Sequence, residues 1–195
     1  MSKTLVLAIV FICVFTGAFF IYSKFSTNSP TTTSTLTKTN TIFTVVTSST
    51  LVSVGDVAVF FPSIHNCSAQ IIRLADRANS TIRIAIYSFT LKNIANSLIR
   101  AKNRGVDVSM IMEPSQNSQY SQYDVLVGAG IPVVMDKGGG IMHDKVMIVD
   151  GKYVVTGSFN WSANAENENA ENMLIISNPA VVDIYEEDWL RVFNR

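Results

Sequence analysis

Histidine and cysteine are scarce in this chain, with two of each among 195 residues. Cys13 lies in an apolar run near the start and Cys67 in the mixed sequence beyond it. A disulfide between them would have to cross a membrane boundary, so Cys67 is expected to be a free, partly buried thiol. Metal-ligand spacings are missing too: there is no HExxH, no CxxC pair and no DxD, so neither a metal nor another cofactor is expected. Acidic residues are absent before Asp56, and all 15 lie from there onward. Lys3, Lys24 and Lys38 take three of the 15 basic residues, leaving twelve against fifteen and a net charge of −3 beyond residue 55. That excludes the strongly basic footprint of a protein that coats nucleic acid, so a phosphate-rich partner would be held by a local patch.

What is abundant is apolar surface at the front. The chain is 48% hydrophobic with a mean hydropathy of +0.27, high for a soluble domain. Residues 5–22 carry no charge over 18 positions, long enough for a membrane span. Thr16, Gly17 and Ala18 form a weak small-residue cleavage site, but the apolar run continues past it through Phe19, Phe20 and Ile21. An uncleaved signal anchor is therefore preferred over a removed signal peptide. Lys3 and Lys24 flank the run on both sides and leave its orientation open. Residues 26–50 are rich in Thr and Ser with almost no charge, a composition unable to fold alone. The expected organisation is an anchor (1–25), a tether (26–54, with β-prone residues 42–46) and a folded domain (55–195). That makes a single-pass membrane protein with an extracytoplasmic domain, or a secreted one if the anchor is removed.

The pattern beyond residue 56 alternates strand and helix. Residues 57–61 read as a short buried strand ended by Pro62, and 66–79 as a helix with Ile71, Ile72, Leu74, Ala75 and Ala78 on one face. Residues 81–87 alternate as a strand, and Thr90 is placed to cap a helix over 91–104 that stops at Gly105. A strand over 106–112 follows, then a polar loop over 113–122, a short helix over 123–129 and a strand over 131–135. Gly138, Gly139 and Gly140 make either a flexible turn or a place of close backbone approach. Residues 162–169 read as a loop, 171–177 as a strand, and Pro179 opens a last helix anchored by Trp189 and Phe193. This rhythm predicts an α/β fold with a parallel or mixed sheet covered by helices.

The chemistry concentrates in residues 143–160. His143 and Lys145, two apart on a strand, share a face, while Met142, Val146 and Ile148 offer an apolar face to a core. Asp150-Gly151 is a hairpin signal, and the returning strand carries Ser158 and Asn160 back toward His143. One hairpin thus gathers an imidazole, an ammonium, a hydroxyl and a carboxamide, a set suited to a phosphate. Asp150 belongs to the same pattern, with the turn as its expected task. His65, outside the pattern, reads as structural or exposed.

Together His143, Lys145, Asp150, Gly157, Ser158 and Asn160 spell HxKxxxxDxxxxxxGSxN, the signature of the phospholipase D superfamily, with no departure. The stretches IYSFT (86–90), AKNRGVDV (101–108) and NAENMLII (169–176) extend the likeness. The chain resembles the single-motif branch, that of Nuc-like bacterial endonucleases and mitochondrial cardiolipin hydrolase-like proteins. The resemblance implies an α/β/α sandwich around a mixed sheet. It implies a homodimer in which two copies of His143 share one site, one attacking phosphorus and the other serving the leaving group. Lys145, Ser158 and Asn160 would bind the phosphate, and Glu171 would hold the far nitrogen of His143. Glu166 and Glu168 read as solvated.

Three functions compete. A metal-independent endonuclease with little sequence preference fits the domain; Arg100, Lys102 and Arg104 would then form either a backbone-binding patch or merely a solvated face. A phospholipase acting on cardiolipin or a similar lipid fits the anchor. A catalytically silent binding module fits poorly, because every polar group of the signature is kept. Acceptor sequons for glycosylation occur at Asn66, Asn79 and Asn160, the last inside the signature.

Overall fold

Lys145–Val149 is buried at every position and Asp107–Met112 at all but the first, which requires cover on both faces of the sheet. The computed structural model describes residues 35–38, 41–44 and 53–195. The expected anchor at 5–22 lies outside the described residues, among which no helix is long and apolar enough to cross a membrane. Strands β1 (Thr35–Lys38) and β2 (Thr41–Thr44) pair with each other in an antiparallel ribbon separate from the main sheet, so the described part of the β-prone stretch (42–44) lies in that ribbon. Elements β3 (Ser53–Val54), β4 (Val57–Phe60), α1 (Cys67–Arg77), β5 (Thr81–Ile86), α2 (Lys92–Asn103) and β6 (Asp107–Met112) follow. Then come α3 (Tyr123–Gly128), β7 (Val133–Met135), β8 (Lys145–Val149), β9 (Tyr153–Gly157), α4 (Ala163–Asn167), β10 (Met173–Ile176) and α5 (Pro179–Phe193).

The main sheet has eight strands in the order β3-β4-β10-β9-β8-β5-β6-β7. Strands β5, β6 and β7 are parallel, joined by helical crossovers, and the rest pair antiparallel, so the sheet is mixed. Strand alternation sorts the core. Ile82, Ile84, Ile86, Met147 and Val149 pack with Ile71, Ala75, Ile94, Leu98 and Leu126 of the first three helices. Ala85, Ile111, Val146, Ile148 and Val154 face the other way and meet Val182, Trp189 and Val192 of α5. The result is the expected sandwich. Trp189 stacks on Phe193 and donates its indole N–H to the Ile84 carbonyl at 2.8 Å. Cys67 is free and fully buried, and burial pushes its thiol up to about 12.

Two local expectations change. Leu91 is the N-cap of α2 and no side chain caps it; the N–H groups of Thr90 and Leu91 instead bond the Trp161 carbonyl, at 2.8 and 3.0 Å. The expected loop at 162–169 contains α4, capped by Ser162, and Glu166 accepts from the Ser68 N–H at the start of α1 rather than facing solvent alone.

Asp150 and Gly151 take φ of 55° and 59°, as a tight hairpin between β8 and β9 demands. The Asp150 carboxylate accepts from the N–H groups of Asn79, Ser80 and Thr81 and from the Ser80 hydroxyl. Burial opposes ionisation there, but these bonds outweigh it and hold the acid at about 2. A carboxyl depressed in the folded state stabilises above its unfolded value and loses that contribution as pH falls through the folded one. Asp150→Ala is therefore expected to cost about 1–3 kcal/mol at neutral pH, with the gap from wild type closing between about pH 4 and pH 2 in chemical denaturation. A gap that stays constant over that range would refute the role.

Candidate active site

Strands β5 and β9 end, and β8 and β10 begin, at one edge of the sheet. The residues just outside those ends therefore meet. His143, Lys145, Gly157, Ser158, Asn160, Glu171 and Asn172 line one open pocket of about 540 Å³. Gly157, at φ 140°, is required by space as well as by conformation: a Cβ there would collide with the Asn172 carbonyl, which accepts from the N–H of Ser158 at 3.1 Å and of Phe159 at 3.3 Å. This close approach of the β9 end to the β10 start puts the Ser158 hydroxyl beside Glu171.

Lys145 is only 7% exposed. Its Nζ donates to the His143 carbonyl at 2.6 Å and lies 4.8 Å from the centre of the Tyr87 ring. Burial pushes the ammonium below the ordinary lysine value, against the opposing pull of Asp144 and Glu171. The His143 ring is exposed and meets Tyr87 edge to face, with centroids 4.5 Å apart. The Tyr87 hydroxyl in turn accepts from Gln116 Nε2 at 3.0 Å. Asn160 Oδ1 accepts from the Ser88 N–H at 3.3 Å, which aims its amide. A reactive imidazole at the surface, a partly desolvated cation beneath it and neutral hydrogen-bonding groups around it can bind a phosphate and attack it.

Five of the six candidate residues meet here, and Asp150 does not. It sits at the opposite end of the hairpin, bound to backbone, so its place in the signature is architectural. Glu171 also differs from expectation. It accepts from the Ser158 hydroxyl and, at 2.9 Å, from Asn169 Nδ2, and makes no hydrogen bond to His143. The hydroxyl on the nearby loop reaches it first. The proposed basic patch is largely engaged elsewhere: Arg100 pairs with Asp76 at 2.9 Å, and Arg104 donates to the carbonyls of Ala75 and Ala78. His65 accepts from the Phe61 N–H and packs on Phe60.

Sequence reasoning missed the support of the loop before His143. Buried Glu113, just after β6, accepts from the N–H groups of Ser115 at 3.1 Å and Met142 at 2.9 Å. Burial works against its ionisation, but these hydrogen bonds prevail and its acid is lowered. Asp136, just after β7, accepts from Arg195 at 2.8 Å and from the Gly138 N–H at 3.2 Å. Two carboxylates therefore hold both ends of the glycine loop leading to His143. The only sequence sign was an acid directly after each of two apolar strands.

Residues 71–192 match the family model described as cardiolipin synthase, PLD-like domain. Phospholipase D of Rickettsia felis is 38% identical over 135 residues, covering 69% of this chain and 68% of that protein. Mitochondrial cardiolipin hydrolase of Xenopus tropicalis is 30% identical over 133 residues, 68% of this chain and 63% of its own length. Nuc from Salmonella typhimurium, a phospholipase D family member, has a TM-score of 0.66 at 34% identity, over 71% of this chain and 93% of Nuc. NucT from Helicobacter pylori has a TM-score of 0.65 at 27% identity, over 71% of this chain and 95% of NucT.

Tyr87 touches both His143 and Lys145, so its ring is expected to hold the charge on Lys145. In lysine-labelled protein followed by NMR, Tyr87→Leu should move the Lys145 titration to lower pH, while Tyr87→Phe, which keeps the ring, should leave it in place. Equal shifts in both variants would assign the effect to the hydroxyl and its Gln116 contact instead.

Proposed function

The chain belongs to the phospholipase D superfamily and is a phosphodiester hydrolase, and on that premise we propose that it is a metal-independent endonuclease working through a phosphohistidine in a homodimer. The observation that carries this is the lone exposed imidazole in an open pocket. Within one chain His143 has a cation and hydrogen-bonding groups beside it but no second acid or base of its kind. A two-fold pairing of this face would bring the partner's His143 opposite, an isologous arrangement that completes the site.

The reaction then runs in two balanced steps. A ring nitrogen of His143 attacks phosphorus, the bond to the leaving oxygen breaks, and the partner's His143 gives that oxygen its proton. The partner's ring, now neutral, takes a proton from water; the water oxygen attacks phosphorus, the phosphorus–nitrogen bond breaks, and His143 is restored. Lys145 and Asn160 from both chains bear on the non-bridging oxygens; the two ammonium groups supply the positive charge that a metal supplies in other hydrolases, and the two amides add neutral hydrogen bonds. Glu171 acts through Ser158, whose hydroxyl it holds near the phosphate. In this reading residues 5–22 attach the protein to a membrane and residues 26–54 tether an extracytoplasmic hydrolase domain (55–195).

Likeness to the two Nuc-type nucleases, each covered over nearly its whole length, supports nucleic acid as substrate. A second reading, hydrolysis of a phospholipid diester, is supported by the names of the Rickettsia and Xenopus relatives and by the apolar front of the chain.

The test uses the full-length chain in detergent with EDTA present. Wild type should nick plasmid and single-stranded DNA, and His143→Ala should lose at least about a thousandfold in rate. Acid-labile, alkali-stable label on the protein should appear when labelled DNA is quenched during turnover. Excess His143→Ala chains mixed with wild type should depress its rate beyond dilution, because mixed dimers hold one histidine. Activity that depends on a divalent ion, or a wild-type rate indifferent to added variant, would overturn the mechanism. Cleavage of cardiolipin vesicles with DNA left intact would move the substrate to lipid.

A further inference from the structure

A larger concavity of about 910 Å³ adjoins the catalytic pocket. The two meet at Ser88, which lines the larger one while its N–H bonds Asn160 in the smaller. Ser162, two residues past Asn160, also belongs to its wall. Its chemistry departs from that of the domain around it. No acidic residue lines it, although the domain carries fifteen acids against twelve bases. Lys92 is its cation, and Asn96, Gln119 and Asn164 offer carboxamides, each able to donate and accept. Tyr120 stands on its rim with 69% of its surface exposed.

This rim is built rather than incidental. Gln122 is buried, and its amide donates to the carbonyls of Thr90 and Tyr120, at 3.3 and 3.4 Å, which ties the Tyr120 loop to the start of α2. The Gln122 N–H bonds the Phe89 carbonyl at 3.0 Å, and Phe89 packs edge-on against Trp161, next to Asn160. The loop bearing Tyr120 is thereby referenced to the same short segment that aims Asn160.

We propose that this groove is a nucleotide subsite for single-stranded nucleic acid, in which an unpaired base stacks on Tyr120, the carboxamides meet its edge and Lys92 meets a flanking phosphate. The proposal rests on the nuclease reading and narrows it. An exposed tyrosine stacks with any base that is not already stacked in a duplex. Amide groups that donate and accept suit base edges without selecting one sequence. A single lysine gives modest phosphate attraction, in keeping with the acidic balance of the domain. Lipid tails would instead need an apolar wall, and Val125 is the groove's only exposed large aliphatic side chain.

The experiment compares full-length wild type with Tyr120→Ala, Tyr120→Phe and Lys92→Ala on two substrates. One is a single-stranded DNA oligonucleotide. The other is bis(p-nitrophenyl) phosphate, a small diester with neither a base nor a flanking phosphate. Tyr120→Ala should raise the oligonucleotide KM about tenfold, while Tyr120→Phe stays within about twofold of wild type. Lys92→Ala should raise the same KM and flatten its dependence on salt. The small diester should be hydrolysed equally by all four proteins. An oligonucleotide KM unchanged in Tyr120→Ala and Lys92→Ala, with cleavage itself intact, overturns the groove and leaves the nuclease reading standing. Hydrolysis of the small diester and of cardiolipin vesicles without cleavage of the oligonucleotide overturns the nuclease reading, and the groove with it. Dissociation of the dimer by Tyr120→Ala in sedimentation would reassign the groove to the contact between copies and overturn the subsite.

Discussion

A single carboxylate at the far end of a buried hairpin fixes the geometry at its near end. Asp150 accepts from three consecutive backbone N–H groups at the start of β5, and β5 is the strand against which β8 lies. The ladder admits one register, because a slip by one residue would turn Met147 and Val149 away from the core shared with the first helices. Once that register is set at Asp150, five residues of rigid strand carry it to Lys145, opposite Ile86. The aspartate of the signature thus does its work at a distance, as a datum for the side chains that touch the phosphate in the proposed reaction.

The near end is arranged around a cation that has surrendered much of its water. Lys145 faces the Tyr87 ring and one carbonyl, which leaves N–H groups free to meet an incoming anion. An ammonium held in this way costs little further desolvation when substrate binds, and its field is less screened than at an exposed position. His143, by contrast, stays at the surface, where the proposed mechanism needs it, open to a reacting group from a second chain. In the proposed mechanism, burial of the electrostatic element and exposure of the nucleophile divide the two tasks between residues only two apart in sequence.

Much of this was legible before any coordinates. The signature brings His143, Lys145, Ser158 and Asn160 together because its spacing is that of a hairpin that turns at Asp150-Gly151, and local turn chemistry is read directly from sequence. Pro179 marked the start of α5 for a similar reason. What sequence could not show were partnerships across long separations. Thr90 reads as a cap, yet Leu91 is the N-cap residue and the Thr90 N–H is held by the Trp161 carbonyl, 71 residues on. Arg100 and Arg104 looked available to phosphate, yet α1 engages both. Glu171 was assigned to His143 by family likeness, and a neighbouring hydroxyl claims it. Glu113 and Asp136 show in the sequence only as an acid after each of two apolar strands, since their partners, backbone groups at Ser115, Gly138 and Met142 and the Arg195 guanidinium, lie on other parts of the chain.

The pairing of β10 carries a consequence in time. Strand β10 is zipped between β9 and β4, and its contact with β4 joins residues 57–60 to residues 173–176. Contacts of such long loop closure form late and slowly. Glu171 and Asn172 sit at the head of that strand, so their side of the pocket lies on the last strand of the sheet in chain order. A chain still being synthesised can expose His143 and Lys145 without yet holding the Ser158–Glu171 arm of the site. The pocket is thus completed by the last strand of the sheet to leave a ribosome.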